Sequence, residues 1–156
     1  MENKISIPEN FEKLVGEWRG SNSLHVSWME GDPVKKSDSN ATVETAAMNR
    51  FLKIEYTWVF EEKPQAGILL IGNEKDSIKA VWIDSWHNGD KFMNCEGTVE
   101  ENSIKIKGFY KVPDHPDWGW KTEISFQDEN SFKIIMHNVT PEDEESLAVE
   151  ADYTRQ

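Results

Sequence analysis

Ten stretches of this chain alternate between apolar and polar residues, or are rich in β-branched ones, and only short connections separate them. They fall at about residues 18–28, 39–47, 50–60, 66–73, 77–86, 90–99, 103–112, 118–127, 131–139 and 145–155. The first shows the pattern: Trp18, Gly20, Asn22, Leu24, Val26 and Trp28 on one side, and Arg19, Ser21, Ser23, His25 and Ser27 on the other. Successive side chains of a strand point to opposite faces, so such a run reads as a half-buried strand. Turn-forming clusters lie between the runs, among them Glu30-Gly31-Asp32-Pro33, Glu61-Glu62-Lys63-Pro64, Gly72-Asn73-Glu74-Lys75-Asp76 and Thr140-Pro141-Glu142-Asp143. Asn88-Gly89 is the strongest two-residue hairpin signal. A parallel crossover needs about a dozen residues, which these connections lack, so consecutive strands must be antiparallel neighbours. An open sheet of that many strands would expose two edges. The pattern therefore predicts an all-β, up-and-down antiparallel barrel of about ten strands. A barrel of this kind commonly encloses space for one small ligand.

Ahead of the first strand, Ser6-Ile7-Pro8-Glu9 has the marks of a helix start. Phe11, Leu14 and Val15 then share one apolar face and Gly16 is a stop signal, which predicts a short N-terminal helix over one barrel end. The 156 residues suit one domain, residues 1–156. Lys and Arg number 17 against 29 Asp and Glu, a formal charge of −12, which argues against nucleic acid as a partner. Seven Trp and seven Phe provide large side chains for a core. The single cysteine, Cys95, favours a reducing compartment. The opening MENKISIPENFEKL has no apolar run of the signal-peptide kind, and no stretch approaches the roughly 20 apolar residues of a spanning helix. A cytoplasmic protein with no membrane partner is expected, as a monomer or a homodimer. The acidic segment from Pro141 to Asp152 reads as a solvated turn and strand edge.

Phe11, Leu14 and Gly16-Glu17-Trp18-Arg19-Gly20 resemble the Phe-x-x-Leu-x-Gly-x-Trp-x-Gly opening of calycin-type (lipocalin-like) barrels. That resemblance implies that Trp18 plugs the barrel floor beneath a basic residue of the last strand. Arg155 of Tyr153-Thr154-Arg155 is the candidate for a cation–π contact with it. More narrowly, the chain is similar to a bacterial family of unknown function, DUF1579. The segments that carry this are Phe11 to Gly20, Arg50 to Tyr56, Gly67-Ile68, Ile71-Gly72, Val81 to Ser85, Glu96-Gly97-Thr98 and Tyr153-Thr154-Arg155. The likeness implies the barrel and transfers no activity. Nitrobindin-like haem barrels share the Gly-x-Trp-x-Gly opening, and that resemblance implies haem ligation by a histidine near the C-terminal strand. This sequence departs from it, with no histidine after His137, and no cofactor is identified.

With Trp18 inward, the same alternation puts Leu52, Ile54, Tyr56, Trp58 and Phe60 inside, with Trp82, Asp84 and Trp86, then Ile104, Ile106 and Tyr110, then Trp118 and Trp120 onward. Asp84 stands out, a carboxylate between two tryptophans on one face. Burial would raise its pKa and make it a donor or proton acceptor beside a ligand; alternatively it bonds nearby backbone or Arg19. Asn22, Tyr56, Trp58, Trp82, Asp84, Trp86, Tyr110 and Trp120 are the candidate ligand-binding residues. Asn94 and Glu96 are further polar candidates, but Met93, Cys95, Gly97 and Val99 form a more apolar face of the same run, leaving its facing open. His87 reads either as a mouth residue near Asp84 or as an exposed turn histidine. The four histidines have no metal-ligand spacing, and Asp114-His115-Pro116-Asp117 reads as a rigid turn. No nucleophile elbow, nucleotide loop or local cysteine signature is present. The expected function is binding of a small, mostly apolar ligand in an aromatic-rich cavity. The alternatives are an enzyme using Asp84 as acid or base, and a structural module whose barrel is filled by Trp.

Overall fold

Period-two alternation in the sequence becomes period-two burial in the structure, a computed structural model that describes residues 7–8, 10–75 and 77–156. Ten strands follow in order: β1 (Gly16–His25), β2 (Val34–Ala46), β3 (Phe51–Phe60), β4 (Lys63–Glu74), β5 (Ser77–Asp84), β6 (Met93–Glu100), β7 (Ser103–Tyr110), β8 (Trp118–Asp128), β9 (Ser131–Val139) and β10 (Glu145–Arg155). Each pairs antiparallel with its sequence neighbours, and β10 returns to β1 to close a barrel. The closing register runs from Trp18 opposite Arg155 to Leu24 opposite Val149. Inward residues such as Leu52, Ile54, Leu69, Ile71, Ile104 and Ile124 are all 0% exposed, so the apolar faces meet in one continuous core. No helix among the described residues is long and apolar enough to cross a membrane.

The barrel has two unlike ends. At the end where the N-terminal segment enters, Phe11 and Leu14 are fully buried, and Phe11 meets Phe126 edge-to-face at 5.1 Å. The Trp18 indole N–H donates to the Leu14 carbonyl at 2.8 Å, and the ring lies edge-to-face with Phe132. The contact implied by the calycin resemblance is present: the Arg155 guanidinium stands 4.4 Å from the centre of the Trp18 ring. It also donates to the carbonyls of Lys13, Val15 and Glu129, which seals this floor. The expected helix is reduced to one 3-10 turn, Phe11–Leu14. Asn10 precedes it in a left-handed conformation without a side-chain cap, and Gly16 at φ 146° ends it. Ser6 and Glu9 of the predicted start lie outside the described residues, as does Asp76 of one turn cluster.

The opposite, open end gathers the β1–β2, β3–β4, β5–β6, β7–β8 and β9–β10 connections. Three expectations shift here. β1 stops at His25, because the chain folds back through hydrogen bonds from Val26 N–H to the Pro33 carbonyl and from Met29 N–H to the Val26 carbonyl. Trp28 is thereby 73% exposed instead of inward. Asn88-Gly89 belongs to a longer β5–β6 connection, and the tight two-residue hairpin here is at Glu61-Glu62, both left-handed with φ 48° and 68°. In β6 the apolar face is the inner one, with Met93 and Cys95 buried. Asn94 and Glu96 therefore point outward, and Glu96 pairs with Lys79 across the sheet.

Candidate functional site

β5 ends at Asp84 because its own carboxylate captures the backbone that follows. Oδ1 accepts the N–H groups of Trp86 at 2.8 Å and His87 at 2.9 Å, an Asx-type turn that competes with continued strand pairing. The Asn88 N–H bonds back to the Asp84 carbonyl at 3.0 Å, and its side-chain amide donates to the Trp82 carbonyl at 3.1 Å. The other carboxylate oxygen, Oδ2, accepts the Tyr56 hydroxyl at 2.7 Å and the Trp58 indole N–H at 3.2 Å. The Tyr56 oxygen in turn accepts the Trp82 indole N–H at 2.9 Å. All four groups aimed at Asp84 are donors, so this 2%-exposed side chain works as an acceptor at each contact and is fully engaged. Arg19, its other suggested partner, lies on the outer face. Burial and the neighbouring Asp84 charge push the Tyr56 hydroxyl well above the ordinary phenol range. Gly67 faces Tyr56 across β3 and β4, and a Cβ there would stand 2.2 Å from the Tyr56 oxygen, so only glycine leaves room for this network.

The turn made by Asp84 draws His87 inward. Its ring stacks on Trp58 with centroids 5.6 Å apart and touches Trp82, Trp86 and Trp120 at 5.5, 4.8 and 5.2 Å. Burial lowers its pKa, with the Asp84 charge opposing, so the imidazole is held neutral at pH 7. On the inner side of this ring is a void of about 10 Å³ bounded by Asn22, Tyr56, Trp58, Asp84 and Tyr153, about the space of one water. On its outer side a pocket of about 500 Å³ opens between the β5–β6 and β7–β8 connections. Its wall includes Trp82 and Trp120, stacked at 5.3 Å with 16° between planes, together with Met93 and Tyr110. Lys91, Phe92, Phe109 and Lys111 stand at the mouth, with Phe92 74% and Phe109 60% exposed.

Of the eight candidate residues, Trp82, Tyr110 and Trp120 line this pocket. Asn22, Tyr56, Trp58 and Asp84 surround the small inner void, and Trp86 packs on Trp58 and Phe60. The inner barrel is thus filled by its own side chains, and the open volume sits at the rim. His87 is not the exposed turn histidine, since a capped strand end turned it inside. The mouth residues Lys91, Phe92, Phe109 and Lys111 were not legible. Phe109 lies on the outward face of β7, and only the pairing of β7 with β6 brings its neighbours beside the β5–β6 connection. No cluster of three or more His, Cys, Asp or Glu able to hold a metal occurs among the described residues.

Comparison with known proteins follows the fold. The family model described as "Protein of unknown function (DUF1579)" matches residues 8–155. No curated protein matches the chain. Among solved structures, the chain is similar to the crystal structure of Rv2717c from M. tuberculosis, with 12% identity over 92% of this chain and 93% of that one and a TM-score of 0.63. At that identity the likeness is one of fold.

Proposed function

We propose that this chain, which belongs to the DUF1579 family of proteins of unknown function, binds a small, mostly apolar molecule in the rim pocket of its barrel. One observation carries the reading: a pocket of about 500 Å³ walled by Trp82, Met93, Tyr110 and Trp120 remains open in a barrel that is otherwise packed. Its size and its stacked aromatic wall fit a site for one organic ligand, with His87, Asn88, Lys91 and Lys111 as polar lining groups. Phe92 and Phe109 extend the apolar surface outward, where a ligand would cover them. Asp84 acts in this reading as the brace that fixes the pocket's inner wall, holding His87 through its backbone and Trp82 through Tyr56. An acid–base role is disfavoured, because its oxygens are taken and the His87 and Trp rings separate it from the pocket. The buried single cysteine supports a reducing compartment, and we place the protein in the cytoplasm.

Tryptophan fluorescence tests the proposal, since Trp82 and Trp120 form the wall. Titration with a panel of aromatic and aliphatic probes should give saturable quenching, and Trp120→Ala should weaken it at least tenfold. Absence of saturable binding across the panel overturns the reading in favour of a filled structural barrel.

A further inference from the structure

We infer that the ligand of the rim pocket is an amphipathic organic anion, its apolar body against the Trp82–Trp120 wall and its carboxylate between Lys91 and Lys111. This rests on the pocket reading above and adds the charge of what fills it. The protein carries −12 overall, yet among the described residues the only charged side chains lining the pocket are these two lysines, one from each flanking connection. Six other lysines, Lys35, Lys53, Lys79, Lys107, Lys121 and Lys133, are engaged in ion pairs with acidic side chains. Among the described residues neither Lys91 nor Lys111 has such a partner, as is also true of Lys36, Lys63 and Lys105, and what sets the two apart is their place on the pocket lining.

Among the other polar groups of the wall, the Tyr110 hydroxyl donates to Asn138 Oδ1 at 2.5 Å, and one N–H of the Asn88 side-chain amide donates to the Trp82 carbonyl. The mouth therefore presents two cations without acidic partners within ion-pair distance among the described residues, and an oxygen-bearing anion answers them. The two exposed phenylalanines beside the lysines keep the body of such a ligand out of water.

Calorimetric titration with naphthoate and with methyl naphthoate tests the inference, since the two share a ring system and differ in charge. Naphthoate should bind at least tenfold more tightly, with a preference that shrinks as salt is raised. Lys91→Met with Lys111→Met should erase that preference, bringing naphthoate to the affinity of the ester in the same variant; both lysines are exposed, so folding is not at stake. Equal binding of acid and ester overturns the anion inference and leaves the pocket reading standing. So does a preference that survives the double substitution. Binding of neither compound removes the anion inference, while the fluorescence panel decides the pocket reading by itself.

Discussion

Replacing Tyr56 by Phe removes one oxygen from the middle of the Trp82–Tyr56–Asp84 chain and leaves the ring in place. The Asp84 carboxylate loses its 2.7 Å donor, and a hydrogen bond to a charged group contributes about 1.5–3 kcal/mol. The Trp82 indole N–H loses its acceptor in a side chain 1% exposed, and an orphaned buried donor costs about 1–3 kcal/mol. The two terms share one atom and overlap, so a net loss of about 3 kcal/mol is expected, or about 6–12 °C in Tm for a domain of this size. Tyr153 is the internal control. It is equally buried, but its hydroxyl meets only the neutral Ser39 Oγ at 2.7 Å, whose own proton goes to the Thr57 carbonyl. Tyr153→Phe should cost about 1 kcal/mol, the ordinary value for a neutral pair. Urea denaturation of both variants followed by circular dichroism measures the difference. Equal losses would refute the view that the Tyr56 oxygen holds both Asp84 and Trp82, because the carboxylate acceptor and the indole donor together separate the two cases.

The same structure sets other outcomes. Gly67→Ala would place a methyl 2.2 Å from the Tyr56 oxygen and 2.9 Å from the Ile83 carbonyl, and should cost about 1–3 kcal/mol in the same denaturation experiment. Glu61→Asn with Glu62→Gly should stabilise by about 1–2 kcal/mol, since both glutamates occupy left-handed positions that Asn-Gly adopts readily. Burial holds the His87 imidazole below its ordinary 6.5, so the unfolded chain takes up that proton first. Stability should therefore be complete above about pH 6.5 and fall as pH drops below it, a component that His87→Phe removes from a Tm-versus-pH series. Burial also pushes the Cys95 thiol up to about 11, so a thiol reagent at neutral pH should label native protein far more slowly than denatured protein.

The strands were legible because one physical rule, alternate facing, governs nearly the whole chain, and because each β5 or β8 inward position repeats it. Trp82 and Trp120 could be placed inside from that rule, and Arg155 beside Trp18 from the shared opening motif. Where local hydrogen bonding overrides alternation, the rule misleads. Continuing period two through Asp84 keeps β5 going to Trp86 and turns His87 outward, whereas the carboxylate binds the N–H groups of Trp86 and His87 and rotates the chain. The segment Asp84-Ser85-Trp86-His87-Asn88-Gly89 contained that signal, an Asx residue followed by a turn-prone pair. The mouth is a different matter. Lys91 and Lys111 are 20 positions apart, and nothing local brings them together; only the pairing of β6 with β7 does.

Closure of β1 on β10 bears on how the chain is made. Trp18 finds Arg155 only after every intervening strand has been synthesised, so contacts of the longest sequence separation come last and impose a slow, entropically costly step. Until then a growing sheet presents β1 and its newest strand as bare hydrogen-bonding edges, the state in which neighbouring nascent chains can pair with each other. The protein's large excess of negative charge, spread over outward positions, repels such neighbours during that interval. Ribosome-bound chains lacking β10 should accordingly be protease-sensitive throughout, gaining protection in one step when the guanidinium of Arg155 reaches the indole that has waited for it.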